Sequence, residues 1–269
     1  MKNIVFIPNI KVTEGNTFFS KDNTDGSRSN AYEYSIKSWK HFCDKHNCEL
    51  IVWEDLLYPI DYMKITFQRY FLFDILEANN IEYDQILMTD ADTIVHPDCP
   101  NFFEITNNEY CGVMNNGCYE WVCRSIRDFS KLMFDGETIN PWEYINGGFQ
   151  IVNKKHKPFF SFVQEYYKEN RQKILDSIEK SRTATDQTII NYLLKDQNIK
   201  LNILPVCYNL QDPFRKNLLH FPNHSYWEDS ITNLAMSGWV YHFNAIPGHP
   251  SNRDANYWIE RTYNELYKK

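Results

Sequence analysis

The sequence predicts an α/β fold, with one domain built on a central sheet that is flanked by helices. Short apolar runs alternate with segments of helical periodicity through the first half of the chain, and a β-α-β-α-β order implies parallel strands joined by helical crossovers. Of the 269 residues, 43% are apolar and 23% are charged, which is typical of a globular chain with a sizeable core. No linker-like segment divides the sequence, so we expect a single domain over residues 1–269.

The elements of the first half follow from apolar runs and helical spacing. The runs predict strands at Ile4 to Pro8, Cys48 to Trp53, Gln85 to Met88 and Tyr110 to Met114. Residues 10–29 are polar and predict a loop, after which Ser29 or Asn30 is a candidate cap for the first helix. Apolar side chains at helical spacing predict a second helix from about Tyr62 to Ala78.

The second half predicts further strands and longer helices. The strands are Gly147 to Val152, Leu201 to Val206 and Trp239 to Phe243, and the helices run from about Pro158 to Leu175, Ala184 to Leu194 and Asn252 to Leu266. In open α/β sheets the ligand crevice lies at the carboxyl ends of the strands. The most polar of these ends is Asp90-Ala91-Asp92, directly after the third predicted strand.

Charge and hydropathy exclude several classes of partner. The chain has 28 Lys and Arg against 35 Asp and Glu, a net charge of −7 without a basic stripe, and nucleic-acid binding needs a basic face. No apolar run is long enough to span a membrane, and the apolar start at residues 4–8 is too short for a signal peptide. We therefore expect a cytoplasmic protein, with peripheral membrane attachment left open.

The cysteines predict neither a disulfide framework nor a zinc site. There are seven, an odd number, and no Cys-x-x-Cys pair occurs. Without a secretion signal, we expect reduced thiols.

Asp90 and Asp92 form a candidate metal site. Two carboxylates this close repel each other unless something neutralises them. A hard divalent cation such as Mg²⁺ or Mn²⁺ does so, and it binds carboxylates together with water and phosphate oxygens. The alternative is a solvated turn with aspartate capping groups.

Four segments together resemble one enzyme family. Residues 86–95, with the Asp-x-Asp pair after an apolar strand, resemble the signature of glycosyltransferases with the GT-A fold. Tyr144-Ile145-Asn146-Gly147-Gly148-Phe149-Gln150-Ile151, Thr185-Asp186-Gln187-Thr188-Ile189-Ile190-Asn191 and Val240-Tyr241-His242-Phe243 resemble the later motifs of family 8, the galactosyltransferase and glycogenin-like enzymes. They occur in the order of that family and span most of the chain, from residue 86 to residue 242.

The resemblance implies a GT-A fold with a mixed sheet, a nucleotide-binding half at 1–114 and a sugar and acceptor half at 115–269. It implies that Asp90, Asp92 and His242 hold Mn²⁺ or Mg²⁺ against the diphosphate of a nucleotide-sugar donor, with a ribose contact of Asp90 left open. The alternative for His242 is a core histidine between two aromatic residues.

The resemblance also implies donor contacts. Asn146, Gly147 and Gly148 would let the backbone approach the donor sugar, whereas a bulge is the alternative for the glycine pair. Asp186 and Gln187 would bind sugar hydroxyls, and the alternative for Asp186 is a helix cap.

Two more residues complete the implied donor site. Lys64 matches a family position near the donor, with a solvated helix edge shared with Gln68 as its alternative, and the backbone near Pro8 would contact the base. The family's Lys-Pro-Trp after the late histidine is missing, because Phe243-Asn244-Ala245-Ile246-Pro247-Gly248 follows instead. The resemblance implies that this lysine would bind the diphosphate, so His249 or Arg253 is the candidate source of that positive charge in this chain.

We therefore expect a metal-dependent glycosyltransferase that uses a nucleotide-sugar donor, UDP-linked and with retention by resemblance. The acceptor could be a glycan, a lipid or a protein. Two alternatives come from other classes. A sugar-phosphate nucleotidyltransferase would need a Gly-rich basic loop after the first strand, which Pro8-Asn9-Ile10-Lys11-Val12 does not supply. A non-catalytic carbohydrate-binding protein would explain the many aromatic residues but not the acid pair.

Overall fold

The computed structural model describes residues 2–10, 31–183, 186–211, 238–244 and 255–268. Its strands are β1 (Ile4–Pro8), β2 (Glu49–Trp53), β3 (Gln85–Thr89), β4 (Thr93–Val95), β5 (Tyr110–Met114), β6 (Ile145–Asn153), β7 (Leu201–Leu204) and β8 (Val240–His242). All the strands predicted from the sequence are present within this part of the chain. The short strand β4, which follows the acid pair, is an addition to them.

Six strands form one mixed sheet in the order β2-β1-β3-β6-β5-β7. Strand β1 is parallel to β2 and β3, β6 is antiparallel to β3 and β5, and β7 is parallel to β5. Thr89 pairs with Phe149 in the β3–β6 register. The carboxyl end of β3 therefore lies beside the glycine pair of β6.

The central sheet is covered on both faces, which explains its continuous apolar strands. Along β1, Ile4 and Phe6 pack into one core cluster, whereas Val5 and Ile7 pack into another. Aromatic side chains fill much of this interior. The largest fully buried side chains among the described residues are all Phe, Tyr or Trp.

The helices are α1 (Tyr32–His46), α2 (Ile65–Gln68), α3 (Leu72–Ala78), α4 (Tyr119–Met133), α5 (Lys157–Ser181), α6 (Gln187–Asp196) and α7 (Ala255–Tyr267). The predicted cap at Ser29 or Asn30 and the predicted helix starts at Ala184 and Asn252 lie outside the described residues. Helix α4 was not predicted, although Val122, Ile126, Phe129 and Met133 form its buried stripe.

The helix predicted over 62–78 is instead three short pieces. A 3-10 turn over Arg69–Phe71 separates α2 from α3. Tyr62 lies before α2, and its carbonyl accepts from Tyr167 Oη at 3.0 Å and from Arg171 Nε at 2.8 Å. These tertiary contacts occupy a carbonyl that a continuous helix would have used.

The other general expectations concern membranes and cysteines. Within the part of the chain that the structure describes, no helix combines the length and the apolar character that crossing a bilayer requires. All seven cysteines lie among the described residues, and they are free, as predicted.

Candidate active site

The acid pair lies in the turn between the two sheets. Strand β3 ends at Thr89 and β4 begins at Thr93, so Asp90 and Asp92 belong to a short link that is anchored at both ends. The N–H of Asp90 donates to the carbonyl of Gly148 at 3.1 Å, and Thr93 Oγ1 donates to the carbonyl of Asp90 at 2.7 Å. The turn is therefore held through the backbone N–H and carbonyl of Asp90, and the two carboxylates contact other groups of the site.

His242 reaches the acid pair through the second sheet. Strands β4 and β8 are antiparallel with Thr93 opposite His242, and the N–H of Phe243 donates to the carbonyl of Asp92 at 2.9 Å. The imidazole is 1% exposed, with Nε2 at 3.1 Å from Asp92 Oδ1 and 3.7 Å from Asp90 Oδ2. The pairing of β4 with β8 thus brings His242, which lies late in the sequence, next to Asp90 and Asp92.

The three side chains fit a divalent cation. One possible ligand atom from each of Asp90, Asp92 and His242 lies within 4.8 Å of the others. Two carboxylate oxygens and one imidazole nitrogen are donors that Mn²⁺ and related divalent ions accept. Gly148 makes room for them, since a Cβ there would lie 2.4 Å from Asp90 Oδ2 and 2.5 Å from His242 Cε1. Any larger residue would displace the ligands.

The start of α6 is fastened to β6 beside the acid pair. Gln187 Oε1 accepts from the N–H of Gly147 at 2.9 Å and from Asn146 Nδ2 at 3.1 Å. One turn later, Asn191 Oδ1 accepts from the N–H of Ile145 at 2.8 Å, and its Nδ2 donates to the carbonyl of Ile145 at 2.9 Å. The motif residues Asn146, Gly147 and Gln187 therefore meet in space.

Asp186 is the residue before α6, but it does not cap the helix through its side chain. Its carboxylate is buried, at 3% residue exposure, and Oδ2 lies 3.7 Å from Nε of Arg69. The helix-cap alternative is therefore not supported.

Arg69 is a central residue of the site that none of the sequence motifs includes. Its Nη1 donates to Asp90 Oδ1 at 2.7 Å and to the carbonyl of Gly147 at 2.9 Å. Burial lowers the pKa of this guanidinium, but the carboxylates of Asp90 and Asp186 raise it, and the net shift is upward. The one indication in the sequence was an arginine flanked by aromatic and aliphatic residues, where a buried charge needs a partner.

In their ionised forms, three carboxylates accompany one guanidinium at this site, because Asp92 lies beside the two that face Arg69. Asp90, Asp92 and Asp186 together exceed the charge of Arg69 by two negative charges, provided that His242 is neutral. A divalent cation would balance this surplus, which is a second reason why the residues fit a metal.

A cavity of about 420 Å³ opens beside these groups, a size within the range of small-molecule sites. The described residues around it are Thr66, Arg69, Asp90, Trp121, Asn146, Gly147, Gly148, Ile178, Arg182, Thr183, Asp186, Gln187 and Asn244. Neither Lys64 nor Pro8 belongs to this lining, so their donor contacts stay predictions. His249 and Arg253 lie outside the described residues.

The predicted solvated edge of the second helix was wrong for Gln68, which is 0% exposed. Its amide donates to the carbonyls of Tyr58 and Met63 and accepts from the N–H groups of Leu57 and Tyr58. Partial burial lowers the pKa of nearby Lys64.

The mixed sheet and the Asp-x-Asp turn with its histidine define a glycosyltransferase of the GT-A fold. The chain belongs to glycosyl transferase family 8, whose model matches residues 2–246. The resemblance stated from the four motifs is thereby confirmed. No curated protein matches the chain in sequence.

Solved structures of glycosyltransferases are similar to the chain at low sequence identity, and the first of those named here shares its fold. A glycosyltransferase involved in the glycosylation of the major capsid of PBCV-1 is 10% identical over 97% of this chain and 100% of its own, with a TM-score of 0.56. The apo form of the glycosyltransferase GlyE of Streptococcus pneumoniae TIGR4 is 16% identical, covering 99% of this chain and 63% of its own, with a TM-score of 0.45. An active-site mutant of LgtC is 14% identical over 98% of this chain and 94% of its own, with a TM-score of 0.43.

Proposed function

We propose that the protein transfers a sugar from a nucleotide-diphosphate sugar to an acceptor hydroxyl, with Mn²⁺ or Mg²⁺ held by Asp90, Asp92 and His242. The observation that carries the proposal is the convergence of these three side chains next to a cavity that Asp186 and Gln187 line. Membership of family 8 favours this function over a nucleotidyltransferase or a non-catalytic carbohydrate-binding protein.

The residues divide into a phosphate side and a sugar side. When bound, the cation acts as a Lewis acid that stabilises the charge developing on the departing diphosphate. Arg69, Asp186 and Gln187 line the cavity, and their polar atoms are proposed to bind sugar hydroxyls. Gly147 and Gly148 line the same cavity, so the donor could approach their backbone.

The transfer breaks the bond between the anomeric carbon and the diphosphate oxygen, and the electron pair of this bond leaves with the diphosphate. A new bond forms from the anomeric carbon to the acceptor oxygen, and the acceptor proton passes to the departing diphosphate. Among the described residues that line the cavity, the carboxylates are Asp90 and Asp186, and Arg69 lies close to both. Retention is proposed because the chain belongs to family 8.

Binding of UDP with Mn²⁺, followed by calorimetry, tests the proposal. The wild-type protein is expected to bind UDP more tightly with Mn²⁺ than with EDTA, and His242→Ala is expected to remove that difference. His156→Gln, a change at a second buried histidine, is the matched control and should bind like wild type. Metal-independent UDP binding by the wild-type protein would contradict the metal assignment.

Screening UDP-sugars for hydrolysis or transfer then identifies the donor. We expect turnover of at least one UDP-sugar, with the anomeric configuration of the product read from the coupling constant of its anomeric proton. Inversion of the configuration would contradict retention while leaving the glycosyltransferase assignment intact.

A further inference from the structure

A chain of hydrogen bonds runs from the backbone of β6 to the ring of His242 through two buried amides. The N–H of Gly148 donates to Asn146 Oδ1 at 2.9 Å, and Asn209 Nδ2 donates to the same oxygen at 3.0 Å. Asn209 Oδ1 lies 3.0 Å from Nδ1 of His242. Asn146, Asn209 and His242 are 2%, 0% and 1% exposed, so water cannot readily substitute for a lost partner.

The chain has only one consistent direction. A backbone N–H can only donate, so the Asn146 atom that faces Gly148 must be its carbonyl oxygen. That oxygen can only accept, so Asn209 must face it with its NH₂ group. The oxygen of Asn209 is then left facing His242, and because this oxygen can only accept, Nδ1 of the ring must carry a proton.

We propose that Asn209 is the positioning residue that makes His242 a metal ligand. With the proton of the neutral ring held on Nδ1, the lone pair lies on Nε2, the nitrogen that faces Asp90 and Asp92. The outer hydrogen bond also fixes the ring plane, because a second partner of a ligating histidine sets its tautomer and orientation. This inference rests on the proposed metal role of His242.

The fold holds Asn209 in place through the neighbouring backbone. Leu210 forms an isolated parallel bridge to Tyr241. The N–H of Leu210 donates to the carbonyl of Val240 at 2.8 Å, and the N–H of His242 donates to the carbonyl of Leu210 at 2.9 Å. Asn209 is therefore tied to the strand that carries the histidine and does not depend on a free loop for its position.

The orientation of Asn146 is also fixed from its other end. Its Nδ2 donates to Gln187 Oε1 at 3.1 Å and to Gln211 Oε1 at 3.2 Å. Turning the amide over would place an oxygen against two oxygens and an NH₂ group against the N–H of Gly148. The contacts at each end of the Asn146 amide thus require the same orientation, and this orientation in turn determines which end of the Asn209 amide faces His242.

Nuclear magnetic resonance on protein with ¹⁵N-labelled histidine tests the tautomer without any variant. We expect His242 Nδ1 to carry a proton in the metal-free protein and in the Mg²⁺-loaded protein, and this proton should exchange slowly because it is buried. A metal-free ring with its only proton on Nε2 would overturn the proposal.

Mn²⁺ affinity tests the consequence. Asn209→Leu keeps the approximate volume but removes the acceptor, and we expect it to weaken Mn²⁺ binding by about 10- to 100-fold, as for other outer partners of metal ligands. Asn209→Asp keeps an acceptor oxygen for Nδ1 and should lose less affinity. Asn153→Leu, which removes a buried amide bonded to the carbonyl of Asn108 and the N–H of Lys155, is the control and should bind Mn²⁺ like wild type.

The outcomes separate this inference from the proposed function. A wild-type protein that binds no Mn²⁺ contradicts the proposed function itself. Normal wild-type binding with an unchanged affinity in Asn209→Leu contradicts only the positioning role. Equal losses in Asn209→Leu and Asn209→Asp would show that the effect comes from the lost contact with Asn146. That result would also overturn the proposal that Asn209 positions His242.

Discussion

Arg69 donates from Nη1 to Oδ1 of Asp90 at 2.7 Å, while the other oxygen of that carboxylate, Oδ2, lies 3.7 Å from Nε2 of His242. Asp90 is thus shared between the two sides of the site. Oδ1 is held by the buried guanidinium of Arg69, and Oδ2 faces His242, another candidate metal ligand. Because Arg69 Nε also lies 3.7 Å from Asp186 Oδ2, this guanidinium connects the candidate metal ligands with the residue that precedes α6.

The first prediction concerns Asp92, whose Oδ1 is the carboxylate oxygen nearest to His242 Nε2. Asp92→Asn keeps the volume but removes an ionised ligand, so turnover should fall at least about 100-fold, equivalent to about 2.7 kcal/mol of transition-state stabilisation. The melting temperature should hold or rise, because repulsion between the two carboxylates is relieved. Steady-state kinetics at saturating Mn²⁺ and a thermal melt measure both effects.

Asp98→Asn is the control for Asp92→Asn, because it removes an exposed carboxylate a short distance along the chain. It should leave turnover unchanged. Wild-type turnover in Asp92→Asn would exclude this carboxylate as a metal ligand.

Much of the site could be predicted because its residues belong to recognisable motifs. The Asp-x-Asp turn, Asn146 with the glycine pair, Asp186-Gln187 and His242 are brought together around one cavity and its adjoining ligand cluster. Apolar runs located the strands that carry them. What the sequence could not supply is the antiparallel register that sets His242 opposite Thr93, since register depends on contacts between distant segments.

Arg69 and Asn209 show why the remainder could not be predicted. Arg69 lies in a segment whose apolar spacing indicates one long helix. That spacing does not reveal the 3-10 turn over Arg69–Phe71, which changes the direction of the Arg69 side chain. Asn209 is a single neutral amide after a short strand, and its sequence surroundings carry no chemical signal. Both residues act through tertiary hydrogen bonds, which local patterns do not encode.

The second prediction uses the glycine pair as a matched set. A Cβ at Gly148 would lie 2.4 Å from Asp90 Oδ2, whereas a Cβ at Gly147 would meet Gln187 at an ordinary 3.6 Å. Gly148→Ala should therefore displace the ligands and weaken Mn²⁺ binding by about tenfold or more, a loss comparable with other disturbances around metal ligands. Gly147→Ala should keep wild-type Mn²⁺ affinity. Calorimetric titration of both variants decides the matter, and equal affinities would show that Gly148 is not needed for ligand placement.

The third prediction is a pH dependence of stability that arises far from the site. Burial lowers the pKa of His156 to about 4, with a smaller contribution from Lys155, and Nδ1 accepts from the N–H of Asn153 at 3.1 Å. The folded protein thus favours the neutral ring. Its stabilising effect is complete above the unfolded pKa of about 6.5 and is lost as the pH falls from there toward 4.

Urea unfolding at pH 7.5 and pH 5 measures this loss, which linkage sets at up to roughly 3 kcal/mol across the full window. His156→Gln retains an acceptor without titrating in this range, so its free energy of unfolding should decline less between the two pH values. Parallel declines in the variant and the wild-type protein would assign the acid sensitivity to other groups.

The last prediction separates sugar contacts from diphosphate contacts at Asp186. The carboxylate is buried beside Arg69 and lines the cavity on the side of Gln187. A buried polar group that binds a hydroxyl discriminates strongly, because an unmatched partner is left unpaired. Asp186→Ala should lower sugar transfer by roughly ten- to a thousandfold, the loss expected for one or two strong hydrogen bonds of about 1.5–3 kcal/mol each. UDP affinity in Mn²⁺ should change little.

A purely structural role for Asp186 predicts a different pattern. If the carboxylate only neutralises Arg69, then Asp186→Asn lowers the melting temperature and keeps the transfer rate, because Asp90 remains within 2.7 Å of the same guanidinium. A role in binding sugar predicts instead that Asp186→Asn also loses transfer, since an amide presents an NH₂ group where the hydroxyl donates. Transfer rate, UDP affinity and melting temperature, measured on Asp186→Ala and Asp186→Asn together, distinguish the two. An unaltered rate with a lowered melting temperature in both variants would refute the donor-sugar role.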